Sequence, residues 1–180
     1  MSAVSSSIKR IAIVGPECTG KTHLSMALAE HYRTAWVPEY ARQYIDRLNR
    51  PYHQDDLTSI ARGQLLLEDE LALTANRLLI CDTNLLVIKI WSEYKFGHLT
   101  DELKQLLHTH HYDLLLLMYV DIPWEEDPQR EHPDKRDYFF SVYHQEVEAS
   151  GTPYQIIRGS TEERLQAAIR HIDRLNQSSI

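Results

Sequence analysis

Short apolar runs alternate along this chain with longer stretches in which apolar residues recur every three or four positions. The runs are "IAIV" (11–14), "TAWV" (34–37), "LLIC" (78–81), "LLLLMYV" (114–120) and "YQII" (154–157). Near-continuous apolar runs suit strands buried on both faces, because a sheet covered by helices on each side leaves no alternate position to solvent. With the helical stretches between them they make a βα alternation. That predicts an α/β fold of three layers, a five-stranded parallel sheet flanked by helices. Some helix ends are legible. "STEERLQAAIRHIDRL" opens with Ser160 and Glu163 at capping-box spacing. The stretch from about Asp137 to Ser150 runs into Gly151, which tolerates the left-handed turn that ends helices.

One helical stripe carries polar residues where apolar ones belong. From Leu57 it runs Leu57, Ile60, Ala61, Gln64, Leu65, Glu68, Leu71, Ala72, Ala75. Gln64 and Glu68 fall on its buried face. Either they sit at the stripe's edge and satisfy a backbone group, or this face borders a polar pocket. In the second case Gln64 is the better ligand contact.

Composition narrows the class without naming it. At 180 residues the chain reads as one domain over residues 1–180, with a polar N-terminal tail at 1–8. A net charge of −7 argues against a nucleic-acid partner gripped through its phosphates. No apolar run approaches the roughly 20 residues that span a bilayer, so no membrane is expected. Cys18 and Cys81 are too few for a disulfide scaffold and fit a reducing, cytoplasmic setting. The sequence leaves the oligomeric state open.

The candidate chemistry starts at "GPECTGKT", Gly15 to Thr22, which fits G-x-x-x-x-G-K-[ST] throughout. Such a loop wraps phosphate oxygens with consecutive N–H groups, and the following helix aims its positive end at the anion. Gly15, Glu17, Cys18, Thr19, Gly20, Lys21, Thr22 and His23 are thus the expected ATP-binding set. Lys21 reaches the β/γ-phosphates and the Thr22 hydroxyl ligates Mg²⁺. Cys18 reads as a small filler. The second metal ligand of such sites is an acid closing another apolar strand; Asp82 after "LLIC" is preferred over its rival Asp121. Glu39 follows the second run, at the sheet edge where ligands bind in open parallel sheets. It is a candidate base for an attacking hydroxyl or a ribose contact, and Arg42 either pairs with it or binds substrate. The charged, proline-punctuated segment 121–137 carries Arg130 and Arg136 and is expected to be a mobile lid closing over the transferring group. The histidines of "HTHHYD" (108–113) lack a companion acid or cysteine at ligand spacing and read as a solvated helix end.

Taken together, "GPECTGKTHL", "WVPEYARQYI", "ARGQ", "ICDTNLLVIKIWSEYKFG", "DIPWEEDPQR" and "PYQII" resemble the ribosylnicotinamide kinases, the kinase part of NadR-type NAD-biosynthesis regulators. The resemblance spans about Lys9 to Leu175. It implies a P-loop NTPase fold and transfer of phosphate from ATP, with Mg²⁺, to the 5′-hydroxyl of nicotinamide riboside. It places Glu39, Tyr40, Arg42, Gln64, Asp82 and Thr83 around the nucleoside. Lys21, Glu39, Asp82, Arg130 and Arg136 are the implied catalytic set, with Thr22 and Asp82 on the metal. Either Glu39 or Asp82 could serve as base, and Glu39 is the choice. Tyr40, Trp91 and Tyr94 either stack on a cationic pyridinium or pack the core. With some ten residues before the first strand, a free-standing kinase is expected, without the adenylyltransferase and DNA-binding parts of those regulators. A kinase for another nucleoside, or an ATP-binding regulatory switch, are the alternatives. A GTPase would need an N-K-x-D element that "DIPWEED" does not offer.

Overall fold

The apolar runs become the strands of one parallel sheet, in which the central three pair on both sides. In the computed structural model, which describes residues 8–177, the strands are β1 (Lys9–Val14), β2 (Trp36–Val37), β3 (Leu78–Asp82), β4 (Leu114–Met118) and β5 (Tyr154–Ile157). The expected tail at residues 1–8 thus lies, apart from Ile8, outside the described residues. Strand order is β2-β3-β1-β4-β5, all parallel, with Ile11 opposite Ile80 on one side and Leu114 on the other. Since side chains alternate across a strand, β1 feeds two cores. Ile11 and Ile13 join a cluster under α1 (Lys21–Tyr32) and α7 (Thr161–Gln177) with Leu24, Leu28, Ala168 and Ile172. Ala12 and Val14 face the opposite cluster, with Val87 and Ile90 of α4 (Leu85–Phe96) and Tyr143 and Val147 of α6 (Arg136–Ala149). The three layers are those expected from the sequence.

A third cluster lies beyond the β2 side of the sheet. There α2 (Tyr40–Arg47), α3 (Gln54–Ala72), α4 and α5 (Asp101–Thr109) bring together Ala41, Leu57, Ile60, Leu65, Ile88 and Leu103. It gives the site a wall that the sheet alone does not provide. Local signals hold where they were legible. Ser160 N–H donates to Glu163 at 2.8 Å and Glu163 N–H donates back to Ser160 at 3.3 Å, a reciprocal cap on α7. Gly151, at φ 68°, follows α6. The second run is shorter than its apolar pattern: only Trp36 and Val37 enter the ladder, because Thr34 turns its hydroxyl onto the Leu78 carbonyl and Pro38 has no N–H to offer.

Candidate active site

The sheet reverses its winding at β1, and the carboxyl ends of its strands open there into one cavity of about 930 Å³. Its floor is the loop Gly15–Gly20. Gly15 has φ 141°, and a Cβ there would meet the Met118 carbonyl oxygen at 2.9 Å, so the loop lies against β4 as only glycine permits. Gly20, at φ 79°, turns the chain into α1. Lys21 folds back over the loop, donating to the carbonyls of Gly15 (3.0 Å) and Pro16 (2.8 Å). Burial lowers its pKa, opposed by the charges of Glu39, Asp82 and Glu17. The Thr19 hydroxyl braces the loop from within through Pro16 O at 2.8 Å.

The acids stand at the ends of β2 and β3. Glu39 lies on the cavity wall, and burial raises its carboxyl pKa against the pull of Lys21. Asp82 is 1% exposed; its Oδ2 accepts the Thr22 hydroxyl at 2.5 Å, while Oδ1 is buried with no hydrogen-bond partner. Burial raises this carboxyl as well, opposed by the Thr22 hydroxyl and by Lys21. A buried carboxylate oxygen left orphaned beside a threonine hydroxyl is a donor set for a hard cation, which takes oxygen ligands. Thr22 and Asp82 therefore fit Mg²⁺. Asp121 does not compete: it accepts the Gly159 N–H at 2.7 Å and pairs with Arg164.

The segment between β4 and α6 crosses the mouth and is tied to the loop. Glu17 accepts the N–H groups of Glu131 (3.0 Å) and His132 (3.3 Å). Cys18 does more than fill space, since its Sγ sits 3.4 Å from the Pro123 carbonyl, 3.1 Å from the Glu125 N–H and 3.4 Å from Arg130 Nη1. Arg136, the first residue of α6, donates to the carbonyls of Ile122 (2.8 Å) and Cys18 (2.9 Å), and its Nε is buried without a partner. Arg42 pairs with Glu39 at 3.7 Å and with Asp127 of the same segment at 3.0 Å.

Of the expected residues, Gly15 to His23, Glu39, Arg42, Arg130 and Arg136 share the cavity wall, and Asp82 touches it through Thr22. Tyr40, Gln64 and Thr83 are not on that wall. Tyr40 lays its ring over Gly63 of α3. Gln64, 2% exposed, accepts the Tyr40 N–H. Thr83 is buried at φ 72° with its N–H on the Ile13 carbonyl, making the turn out of β3. Trp91 and Tyr94 do face the cavity, and Tyr52, Phe139 and Tyr143 join them there as an aromatic chamber. Tyr52 stacks on Trp91 with centroids 6.5 Å apart, and Lys95 Nζ lies 3.6 Å over the Tyr52 ring. Sequence reasoning missed Arg164. It is 4% exposed and donates to Thr19 O (2.6 Å), Gly159 O (2.8 Å), Tyr119 O (3.2 Å) and Asp121, clamping the phosphate loop to the ends of β4 and β5. Among the described residues no group of histidines, cysteines and acids is arranged as a metal cluster, and no helix is long and apolar enough to cross a membrane.

A five-stranded parallel sheet, a phosphate cradle with its lysine, and acids at or just past the ends of two neighbouring strands define a P-loop nucleotide-binding fold. The chain belongs to the AAA_28 family, described as an AAA domain, whose model matches residues 10–164. It is 26% identical over 129 residues to the trifunctional NAD biosynthesis/regulator protein NadR of Escherichia coli K12, a match covering 68% of this chain and 31% of that protein. The resemblance seen in the motifs is thus found again, and the chain spans about a third of the length of that relative. A NadR protein solved in complex with NR superposes with a TM-score of 0.76 at 21% identity, covering 94% of this chain and 52% of that one. Thymidylate kinase from Ehrlichia chaffeensis follows at 0.67 and 14% identity, covering 92% and 99%. These last two likenesses are of fold.

Proposed function

We propose that this chain transfers the γ-phosphoryl group of ATP to the 5′-hydroxyl of nicotinamide riboside, giving nicotinamide mononucleotide and ADP. The observation that carries the reading is Glu39, a half-buried carboxylate on the same cavity wall as the phosphate cradle and the aromatic residues. The NadR relatives and the NadR protein solved with NR support this choice of acceptor.

In this reading the loop N–H groups hold the β- and γ-phosphates, and Lys21 leaves its resting carbonyls to join them. Thr22 and Asp82 would hold Mg²⁺, which would supply positive charge against the phosphates. The aromatic chamber takes the nicotinamide ring, where rings facing a cationic pyridinium gain electrostatic attraction. Glu39 accepts the 5′-hydroxyl proton as the oxygen bonds to the γ-phosphorus and the bond to the bridging oxygen breaks. A raised pKa suits that role, because a more basic carboxylate is the better acceptor once ionised. Arg130 and Arg136 close over the charge that develops on the transferring group.

The test is ADP release from Mg²⁺–ATP with nicotinamide riboside, nicotinic acid riboside, uridine, cytidine, thymidine and adenosine offered in turn. Stimulation by nicotinamide riboside is the expected result. Stimulation by a different nucleoside alone replaces the acceptor, and no stimulation by any of them overturns the kinase reading.

A further inference from the structure

Helix α2 starts immediately after Glu39, and its start is held by another helix. Glu39 occupies the N-cap position, yet its side chain makes no capping hydrogen bond. A carboxylate there ordinarily accepts an N–H of the first turn. Here it faces the cavity instead, and the first N–H of the helix, that of Tyr40, donates 3.0 Å to Oε1 of Gln64 on α3. The orientation of that amide is also set. Its Nε2 donates 3.3 Å to Oε1 of Glu68, one turn along α3. Flipping the amide would place its oxygen against a carboxylate and its NH₂ against an N–H, so only one orientation satisfies both ends.

Glu68 is in turn anchored. It is fully buried and accepts from Tyr112 Oη at 2.9 and 3.1 Å and from Arg10 Nη1 at 3.0 Å, with His110 Nε2 at 3.7 Å. The chain of contacts runs from β1 and the approach to β4, through α3, to the residue that follows Glu39. We propose that Gln64, oriented by Glu68, is a positioning residue for phosphoryl transfer: it holds the first N–H of α2, in the peptide that follows Glu39, and so fixes the backbone from which the Glu39 carboxylate points into the cavity. The inference rests on the reading of Glu39 as the base. It gives Gln64 a role other than touching the nucleoside, since both ends of its amide are engaged inside the protein.

The test compares wild type, Gln64→Met and the exchanged pair Gln64→Glu/Glu68→Gln, each checked for folding by thermal melting. The assay uses the nucleoside that wild type phosphorylates, with amide hydrogen exchange followed at Tyr40. Methionine matches glutamine in shape and cannot accept the N–H. Gln64→Met is expected to lower kcat about 10- to 100-fold, the scale of a small misplacement of a reacting group, with both KM values unchanged. Tyr40 exchange should accelerate in the same variant. The exchanged pair still offers an acceptor to Tyr40 and a hydrogen bond between the two positions, and is expected to regain kcat to within a few-fold of wild type. An acceptor KM raised tenfold with kcat intact would make Gln64 a substrate contact and overturn the inference. So would an unchanged kcat in Gln64→Met, or a folded exchanged pair that stays inactive. If Gln64→Met does not fold, the exchanged pair decides alone by the same two outcomes. Wild type phosphorylating no nucleoside is a different failure, that of the proposed function.

Discussion

Gly63→Ala tests the packing that positions the start of α2, and general helix chemistry predicts the wrong sign for it. Gly63 lies inside α3, where alanine in place of glycine normally stabilises by about 1 kcal/mol. At this position a Cβ would lie 2.0 Å from Cε1, 2.3 Å from Cζ and 2.6 Å from Cδ1 of Tyr40. Carbons in contact sit about 3.5 Å apart or more, so the ring must retreat by roughly 1.5 Å. It cannot do so freely, because Tyr40 is the first residue of α2 and its N–H is tied to Gln64. Overpacking of this kind costs about 1–3 kcal/mol, and the steepness of the clash argues for the upper half of that range. Set against the helical gain, the net loss is about 1–2 kcal/mol. For a chain of this size that lowers Tm by about 2–8 °C, read by circular dichroism melting. In a Tyr40→Ala background the clash is gone, and Gly63→Ala is expected to raise Tm by about 2–4 °C relative to that parent. A rise in Tm with Tyr40 in place, or the same shift in both backgrounds, would refute the reasoning.

Glu39→Gln keeps the size of the side chain and removes the proton acceptor, so kcat is expected to fall about 100-fold or more with the KM for ATP unchanged, measured by ADP release. Asp82→Asn leaves an amide where the orphaned carboxylate oxygen stands; the Mg²⁺ concentration for half-maximal rate is expected to rise about tenfold, and an unchanged Mg²⁺ dependence would remove Asp82 from the metal. Arg164→Met strips the clamp from Thr19, Gly159, Tyr119 and Asp121 and is expected to cost about 3 kcal/mol in urea melts, together with a raised KM for ATP. Asp56 supplies the pH prediction. The Arg50 guanidinium, helped by the His53 N–H and the Tyr44 hydroxyl and opposed by burial, holds its carboxyl well below the usual range. A carboxyl depressed in the folded state stabilises above its unfolded pKa, and that stability is lost as pH falls below about 4 toward the folded value. Tm of wild type should therefore drop more steeply between pH 5 and 2 than that of Asp56→Asn, and parallel curves would contradict the assignment.

What could be read in advance was what neighbours in sequence decide. The cap on α7 needs only Ser160 and Glu163, and the cradle needs only its own glycines and the strand and helix beside it. The stripe of α3 announced that Gln64 and Glu68 are buried, but periodicity names a face and not a partner. Their partners, Tyr40 N–H and the Arg10–Tyr112 pair, arrive from elements 24 to 58 residues away. Arg164 was invisible for a related reason: within "STEERLQAAIR" it looks like any solvated helical arginine, and only the closure of β4 and β5 beside β1 makes it the buried clamp of the phosphate loop. Asp121 follows an apolar run in the sequence as Asp82 does, but β4 ends at Met118 and the clamp of Arg164 engages its carboxylate, whereas Asp82 ends β3 with one oxygen unpartnered.

The four unspecified positions of the phosphate-loop motif are commonly treated as spacer, yet here two of them are tie points. Glu17 and Cys18 grip the crossing segment at Glu131, His132, Pro123 and Glu125. The backbone of the loop and the side chains that hold the crossing segment belong to the same two residues. The contacts that join the loop to the crossing segment therefore start from inside the motif itself, and a substitution at Glu17 or Cys18 that leaves the motif formally intact would still remove them.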